Sequence, residues 1–129
     1  MLKSGILNPH LNSLLSRVRH TNTLVIADRG FPFWPQVETI DISLVDDLPQ
    51  VLDVLKAIRA NFNIGRVFMA EEFNFANGTE ARIRLEQALQ GVPTSFEPHV
   101  EFKKRVPTAI GLIRTGDTTQ YANMILESA

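Results

Sequence analysis

The chain of 129 residues contains no cysteine. That excludes a disulfide framework and any thiolate metal site, and it fits a reducing compartment. Neither sign of charge is in surplus: 13 basic and 14 acidic residues leave a net charge of -1. They are mixed along the chain, so there is no basic stripe to neutralise nucleic-acid phosphates, and no nucleic acid is expected as a partner. Long apolar runs are missing too. Nowhere do about 18 apolar residues follow one another, and the stretch from Met1 to Asn8 leads into an amphipathic pattern without an apolar signal core. No membrane insertion is expected, and the expected location is the cytoplasm. There is no Gly-rich phosphate loop and no Gly-x-Ser-x-Gly elbow, which leaves nucleotide binding and hydrolase chemistry without local support. The histidines, His10, His20 and His99, include no close-spaced pair such as His-x-x-x-His, so no metal site is expected.

What is present is the composition of an ordinary globular protein, 44% apolar and 21% charged. At this length one domain over residues 1–129 is expected, burying about two-thirds of the unfolded chain's surface. Leu11, Leu14, Leu15 and Val18 fall at helical spacing, with Asn8 as cap and Pro9 at the first helical position. Thr23 to Ala27 is a continuous apolar run, the pattern of a strand covered on both faces. Two prolines and a glycine make Arg29 to Pro35 a loop. Alternation predicts a strand over Ile40 to Leu44, and Pro49 opens a helix whose buried stripe is Leu52, Leu55 and Ile58. Further strands are expected at Arg66 to Ala70, Thr94 to Phe96, Ala109 to Ile113 and Ala122 to Leu126. Helices are expected at Thr79 to Gln90 and around Phe102. Strands alternating with helices predict an α/β layer structure, and adjacent strands near both ends predict a mixed sheet flanked by helices.

Several residues invite chemistry, and each also has a plainer reading. His20 ends the first helix, where an imidazole interacts with the helix dipole, yet a near-neutral pKa also suits acid/base work. Asp28 follows a strand's carboxyl end, where turn formers and ligand sites of open α/β sheets both occur. His99 follows Pro98 and precedes Val100-Glu101-Phe102, and it reads as a helix-start polar residue. Glu71 and Glu72 read as solvated charges, since strand alternation would send them to opposite sides. Phe31, Phe33 and Trp34 read as core or subunit contact, with a sugar-stacking platform as the alternative. Tyr121, the only tyrosine, and Asn123 would point to one face if both lay in a strand, a phenol and an amide able to grip hydroxyls together.

Taken in order, Ser4-Gly-Ile-Leu-Asn8, His20-Thr21, Ile26-Ala27-Asp28, Gly30-Phe31-Pro32, Ile40-Asp41, Ala70-Glu71-Glu72, His99 with Glu101-Phe102-Lys103, and above all Ile113-Arg114-Thr115-Gly116-Asp117-Thr118-Thr119-Gln120-Tyr121-Ala122-Asn123 resemble the ribose pyranase and fucose mutarotase family along essentially the whole chain. Tyr121-Ala122-Asn123 is more similar to the ribose branch, since the fucose branch tends to carry Tyr-Gly-Asn. The resemblance implies a sugar mutarotase, interconverting pyranose and furanose forms of a free monosaccharide without a cofactor. It places the catalytic histidine at His20 and sugar-binding groups at Asp28, His99, Tyr121 and Asn123. It also implies self-association into a ring, typically a decamer, with sites between neighbouring subunits. The alternatives carried forward are a fucose-type mutarotase and a sugar-binding oligomer without turnover.

Departures from the family pattern concern the neighbours of the site. Arg19-His20-Thr21-Asn22 stands where the family usually shows Gly-His-Thr-Asp, and Asp28-Arg29-Gly30 where it shows Asp-Ala-Gly. Asn22 removes a carboxylate that would stabilise protonated His20, while Arg29 should favour ionised Asp28. Arg19 and Arg29 together suggest a grip on an anionic sugar, and Trp34 adds an indole face to the loop approaching the sugar.

Overall fold

A computed structural model describes residues 1–3 and 5–129; Ser4, with which the family resemblance opens, lies outside the described residues. Helix α1 (Pro9–Arg17) begins where its sequence marks it, because Asn8 Oδ1 accepts the N–H groups of His10 at 2.9 Å and Leu11 at 3.1 Å. The chain turns through His20 and Thr21 into β1 (Thr23–Ala27) and, after a loop, forms β2 (Thr39–Asp41), α2 (Val51–Arg59) and β3 (Ile64–Ala70). Then come α3 (Glu72–Ala76), α4 (Thr79–Ala88), β4 (Thr94–Glu97) and α5 (His99–Arg105). A short 3-10 turn (Val106–Thr108) leads to β5 (Gly111–Arg114) and β6 (Met124–Ser128).

The strands form one six-stranded sheet in the order β2-β5-β1-β6-β3-β4. β1 runs parallel to β5 and antiparallel to β6, and β6 also opposes β3, so the sheet is mixed as the element order predicts. β1 sits between two neighbours and under helices on both sides, which is why Leu24 through Ala27 are all fully buried. Alternation then sorts its side chains. Leu24 and Ile26 join Val67, Met69, Ile113, Met124 and Leu126 beneath α1, α2 and α4. Val25 and Ala27 face the other way, into a smaller core with Phe31, Phe68, Phe102, Leu112 and Ile125 beneath α5. The result is the expected sheet between two helical layers.

Several boundaries differ from expectation, and for β2 and α2 the reason is long-range. The strand foreseen through Leu44 stops at Asp41, because residues 43–50 are drawn away to the turn at Thr115-Gly116-Asp117. There Gly116 N–H donates to Pro49 O (2.9 Å) and Asp47 N–H to Gly116 O (2.6 Å). Asp47 in turn accepts the Thr118 N–H and hydroxyl at 2.9 and 2.7 Å. Helix α2 starts at Val51 rather than Pro49, since the buried Asp117 carboxylate accepts the Val51 N–H at 2.8 Å and caps its positive end. The last two strands begin two residues later than alternation suggests, at Gly111 and Met124. Helix α3 was not foreseen, being too short to show a period.

Candidate active site

An open cleft of about 350 Å³ lies beyond the carboxyl end of β1, lined by Asp28, Gly30, Phe31, Pro32, His99, Gln120, Tyr121 and Asn123. Asp28 enters it because β1 ends at Ala27 and its backbone is then captured from across the sheet. Asp28 N–H donates to Asn123 Oδ1 at 2.7 Å, and Asn123 Nδ2 donates back to Asp28 Oδ2 at 3.1 Å. The exchange settles which way the buried amide points, because an N–H requires an acceptor and a carboxylate a donor. Asp28 Oδ1 also accepts the Gly30 N–H at 2.9 Å. Burial raises the Asp28 carboxyl above its ordinary value, Asp117's charge adds to the rise, and the bonds from Gly30, Asn123 and Phe31 oppose it.

His99 is the first residue of α5. Its backbone N–H is shared between the two carboxylate oxygens of Glu72, at 3.0 and 3.1 Å. Its ring stacks on Phe102 (5.9 Å, 14°) and meets the edges of Tyr121 (5.2 Å, 80°) and Phe31 (6.5 Å, 82°). Nδ1 is buried and finds no partner among the described residues. Burial chiefly, with Lys103 adding to it, holds this imidazole below its usual pKa, against the charges of Glu72 and Asp28. The folded state therefore favours neutral His99. The associated stability is present above the ordinary histidine pKa and is lost as pH falls through the lower folded value. An NMR titration of the ring protons is expected to show a midpoint below that of a histidine in a peptide; a midpoint above it contradicts this account.

Tyr121 and Asn123 reach the same cleft, but not by strand alternation, since both precede β6. Tyr121 adopts a left-handed backbone (φ 56°), and the turn is held by Asn77 Nδ2 donating to Gln120 O at 2.8 Å. His20 is not in the cleft. It is exposed in the turn before β1, beside Thr21, whose N–H bonds to Ser128 O at 3.1 Å. The length of β1, roughly 13 Å, separates that turn from the cleft.

The accessory residues are likewise dispersed. Arg19 bonds to the carbonyls of Ser16 (2.5 Å) and Val18 (3.1 Å), while Arg29 pairs with Asp46 (2.9 Å) at the opposite end of β1. Within one chain they do not form an anion grip. Asn22 Oδ1 accepts the Arg19 N–H at 2.9 Å and closes the His20 turn. Trp34 is half-buried, stacked behind Phe31 at 6.4 Å, and supports the cleft wall instead of offering its face to it. Glu72 is no mere solvated charge, and Arg114, whose Nη1 reaches three carbonyls of the Asp28 loop, was given no role. Their partners lie tens of residues away, so no local pattern marks them. Another cavity, of about 30 Å³ beside Asp117, has room for little more than a water. Among the described residues no helix is long and apolar enough to cross a membrane, and no three His, Cys, Asp or Glu form a group able to hold a metal ion.

The chain matches the model of the RbsD / FucU transport protein family over residues 1–129. It is 43% identical over 128 residues to D-ribose pyranase of Geobacillus kaustophilus, covering 99% of this chain and 93% of that protein. To D-ribose pyranase of Laribacter hongkongensis it is 39% identical, covering 99% and 97%. The structure of Bacillus subtilis RbsD complexed with D-ribose superposes with a TM-score of 0.93 at 36% identity, covering 100% of this chain and 98% of that one. The fucose mutarotase of Streptococcus pneumoniae in complex with L-fucose shares the fold, with a TM-score of 0.83 at 19% identity over 99% and 98% of the two chains. With sequence and fold both matched from end to end, the chain belongs to the RbsD / FucU family.

Proposed function

We propose that the protein is a mutarotase of the D-ribose pyranase type, an isomerase that opens and recloses the ring of a free monosaccharide. The observation that carries this reading is the reciprocal Asp28–Asn123 pair facing an open cleft that His99, its ring partly buried against Phe102, also lines. The kinship to proteins named D-ribose pyranase and the match to a D-ribose complex support ribose over fucose. Ring opening removes the proton of the anomeric hydroxyl, forms the carbonyl double bond at the anomeric carbon as that carbon's bond to the ring oxygen breaks, and delivers a proton to the ring oxygen. Reclosure through a different hydroxyl converts pyranose to furanose, with atoms and protons balanced and no cofactor involved. Asp28, Asn123 and Tyr121 supply acceptors, donors and a phenol that orient sugar hydroxyls, and neutral His99 is suited to accept a proton.

His20 serves as the general acid/base from a neighbouring copy. Three features support this arrangement: β1 keeps His20 out of its own cleft, the cleft is open, and exposed apolar residues border it. Phe33 follows the cleft residue Pro32, Val100 follows His99, and Phe75 lies on α3 just before Asn77, which holds Gln120. Such residues are what a second subunit would bury. The backbone beside His20 also carries strain: Thr21 is a β-branched residue at φ 65°, a conformation that is costly and concentrates at functional sites. A closed ring, of ten subunits in the family pattern, would place a His20 at every cleft. The test is magnetisation-transfer NMR on equilibrated D-ribose, L-fucose and ribose 5-phosphate. Faster exchange between ring forms of D-ribose is expected; binding of ribose without any acceleration would replace the enzyme with a sugar-binding protein.

A further inference from the structure

Arg114 ends β5 opposite Ala27 of β1, and among the described residues no carboxylate lies within ion-pair distance of it. Its Nη1 is instead spent on carbonyls: Phe31 O at 2.7 Å, Arg29 O at 3.3 Å and Asp28 O at 3.4 Å. Three carbonyls of four consecutive residues thus converge on one cation. The same short loop turns its N–H side to the Asp28 carboxylate, with Gly30 N–H at 2.9 Å from Oδ1. The carbonyl of Arg29 and the N–H of Gly30 belong to one peptide unit. A cation on the oxygen of that unit polarises it and strengthens its N–H as a donor, so Arg114 acts on Asp28 through a peptide group without touching it.

We propose that Arg114 is a positioning residue for the ring-opening reaction, fixing the loop Asp28–Phe31 by its carbonyls and thereby aiming the Asp28 carboxylate and the Phe31 wall into the cleft. The proposal rests on the mutarotase reading for its kinetic consequence, but not for its effect on Asp28. A lysine in this place keeps the charge, but its shorter side chain ends short of the Nη1 position on which the three carbonyls converge. Removing the cation should weaken the Gly30 bond and raise the Asp28 carboxyl further. The other groups facing Asp28 are His99 from α5, Asp117 and Tyr121 from the turns before and after Thr119, and the adjacent Arg29, which Asp46 already engages. All of them are unchanged by the substitution.

Two readouts on the full-length Arg114→Met protein test this. Carbon NMR of labelled aspartate carboxyls is expected to show Asp28 titrating at higher pH than in the parent. Ribose ring exchange is expected to slow by about 10- to 100-fold, with the acid side of its pH profile moved upward and part of the loss restored by millimolar guanidinium but not by sodium. An unmoved Asp28 midpoint overturns the proposal, whatever the exchange rate; so does exchange within about twofold of the parent. If the parent itself accelerates nothing, the mutarotase reading fails while the Asp28 midpoint still judges Arg114. Should Arg114→Met not fold, Arg114→Lys carries the same comparison, with a smaller upward move expected and no move overturning it.

Discussion

Neither His20→Ala nor Asp28→Asn protein is expected to catalyse ribose ring exchange, each losing about 100- to 10,000-fold, yet the two expressed together should regain about a quarter of the parent rate. The loss follows from chemistry: a sugar ring opens when one proton leaves the anomeric hydroxyl and another reaches the ring oxygen, and His20 is assigned that transfer. The recovery follows from geometry. His20 stands at one end of β1 and the Asp28 cleft at the other, so under the proposed sharing each working site would join a histidine from one copy to a cleft from its neighbour. In a random assembly of the two variants, one pairing in four joins an intact histidine to an intact cleft. Asp28→Asn keeps the size of the side chain, but its single oxygen can accept from only one of the two donors, Gly30 N–H and Asn123 Nδ2, that the two carboxylate oxygens of Asp28 serve, so its melting temperature is compared with the parent's to show that the fold is retained. Co-assembled variants no more active than the sum of the separate ones would refute the shared site.

Gly116→Ala is expected to lower stability by about 3 kcal/mol, or roughly 10 °C in melting temperature. A methyl group at this position would overlap the Val45 carbonyl oxygen and stand 3.0 Å from Leu48 O and 3.2 Å from Leu48 N, all backbone atoms that cannot swing aside. The turn they would have to vacate caps α2 through Asp117 and also receives the Arg29 N–H on Asp117 O at 3.1 Å. The strain therefore spreads to the loop that carries Asp28. Gly78→Ala is the control: nothing lies within 4 Å of a methyl there, and its melting temperature should scarcely move. Equal melting temperatures for the two variants would show that the Gly116 turn yields at little cost.

Part of this fold is legible in the amino-acid sequence. The cap at Asn8-Pro9 and the apolar run Thr23 to Ala27 each rest on interactions within a few residues, and both were placed correctly. The resemblance named Asp28, His99, Tyr121 and Asn123 together, and these four do line one cleft. The reason offered for Tyr121 and Asn123 was nevertheless wrong. They meet through a left-handed turn, and no two-residue alternation encodes it.

The local periods, the helix start, the fully covered strand and the mixed α/β order follow from the order of amino acids alone, because burial patterns and caps are written over a few adjacent residues. It takes the packed chain to show that Asp117 caps a helix 66 residues earlier in the chain, that Glu72 holds the His99 backbone, that Arg114 gathers the carbonyls of the Asp28 loop, and that His20 lies a strand's length from the cleft. Hydrogen bonds of that kind depend on which strands become neighbours in the sheet, and adjacency in space leaves no period in the chain.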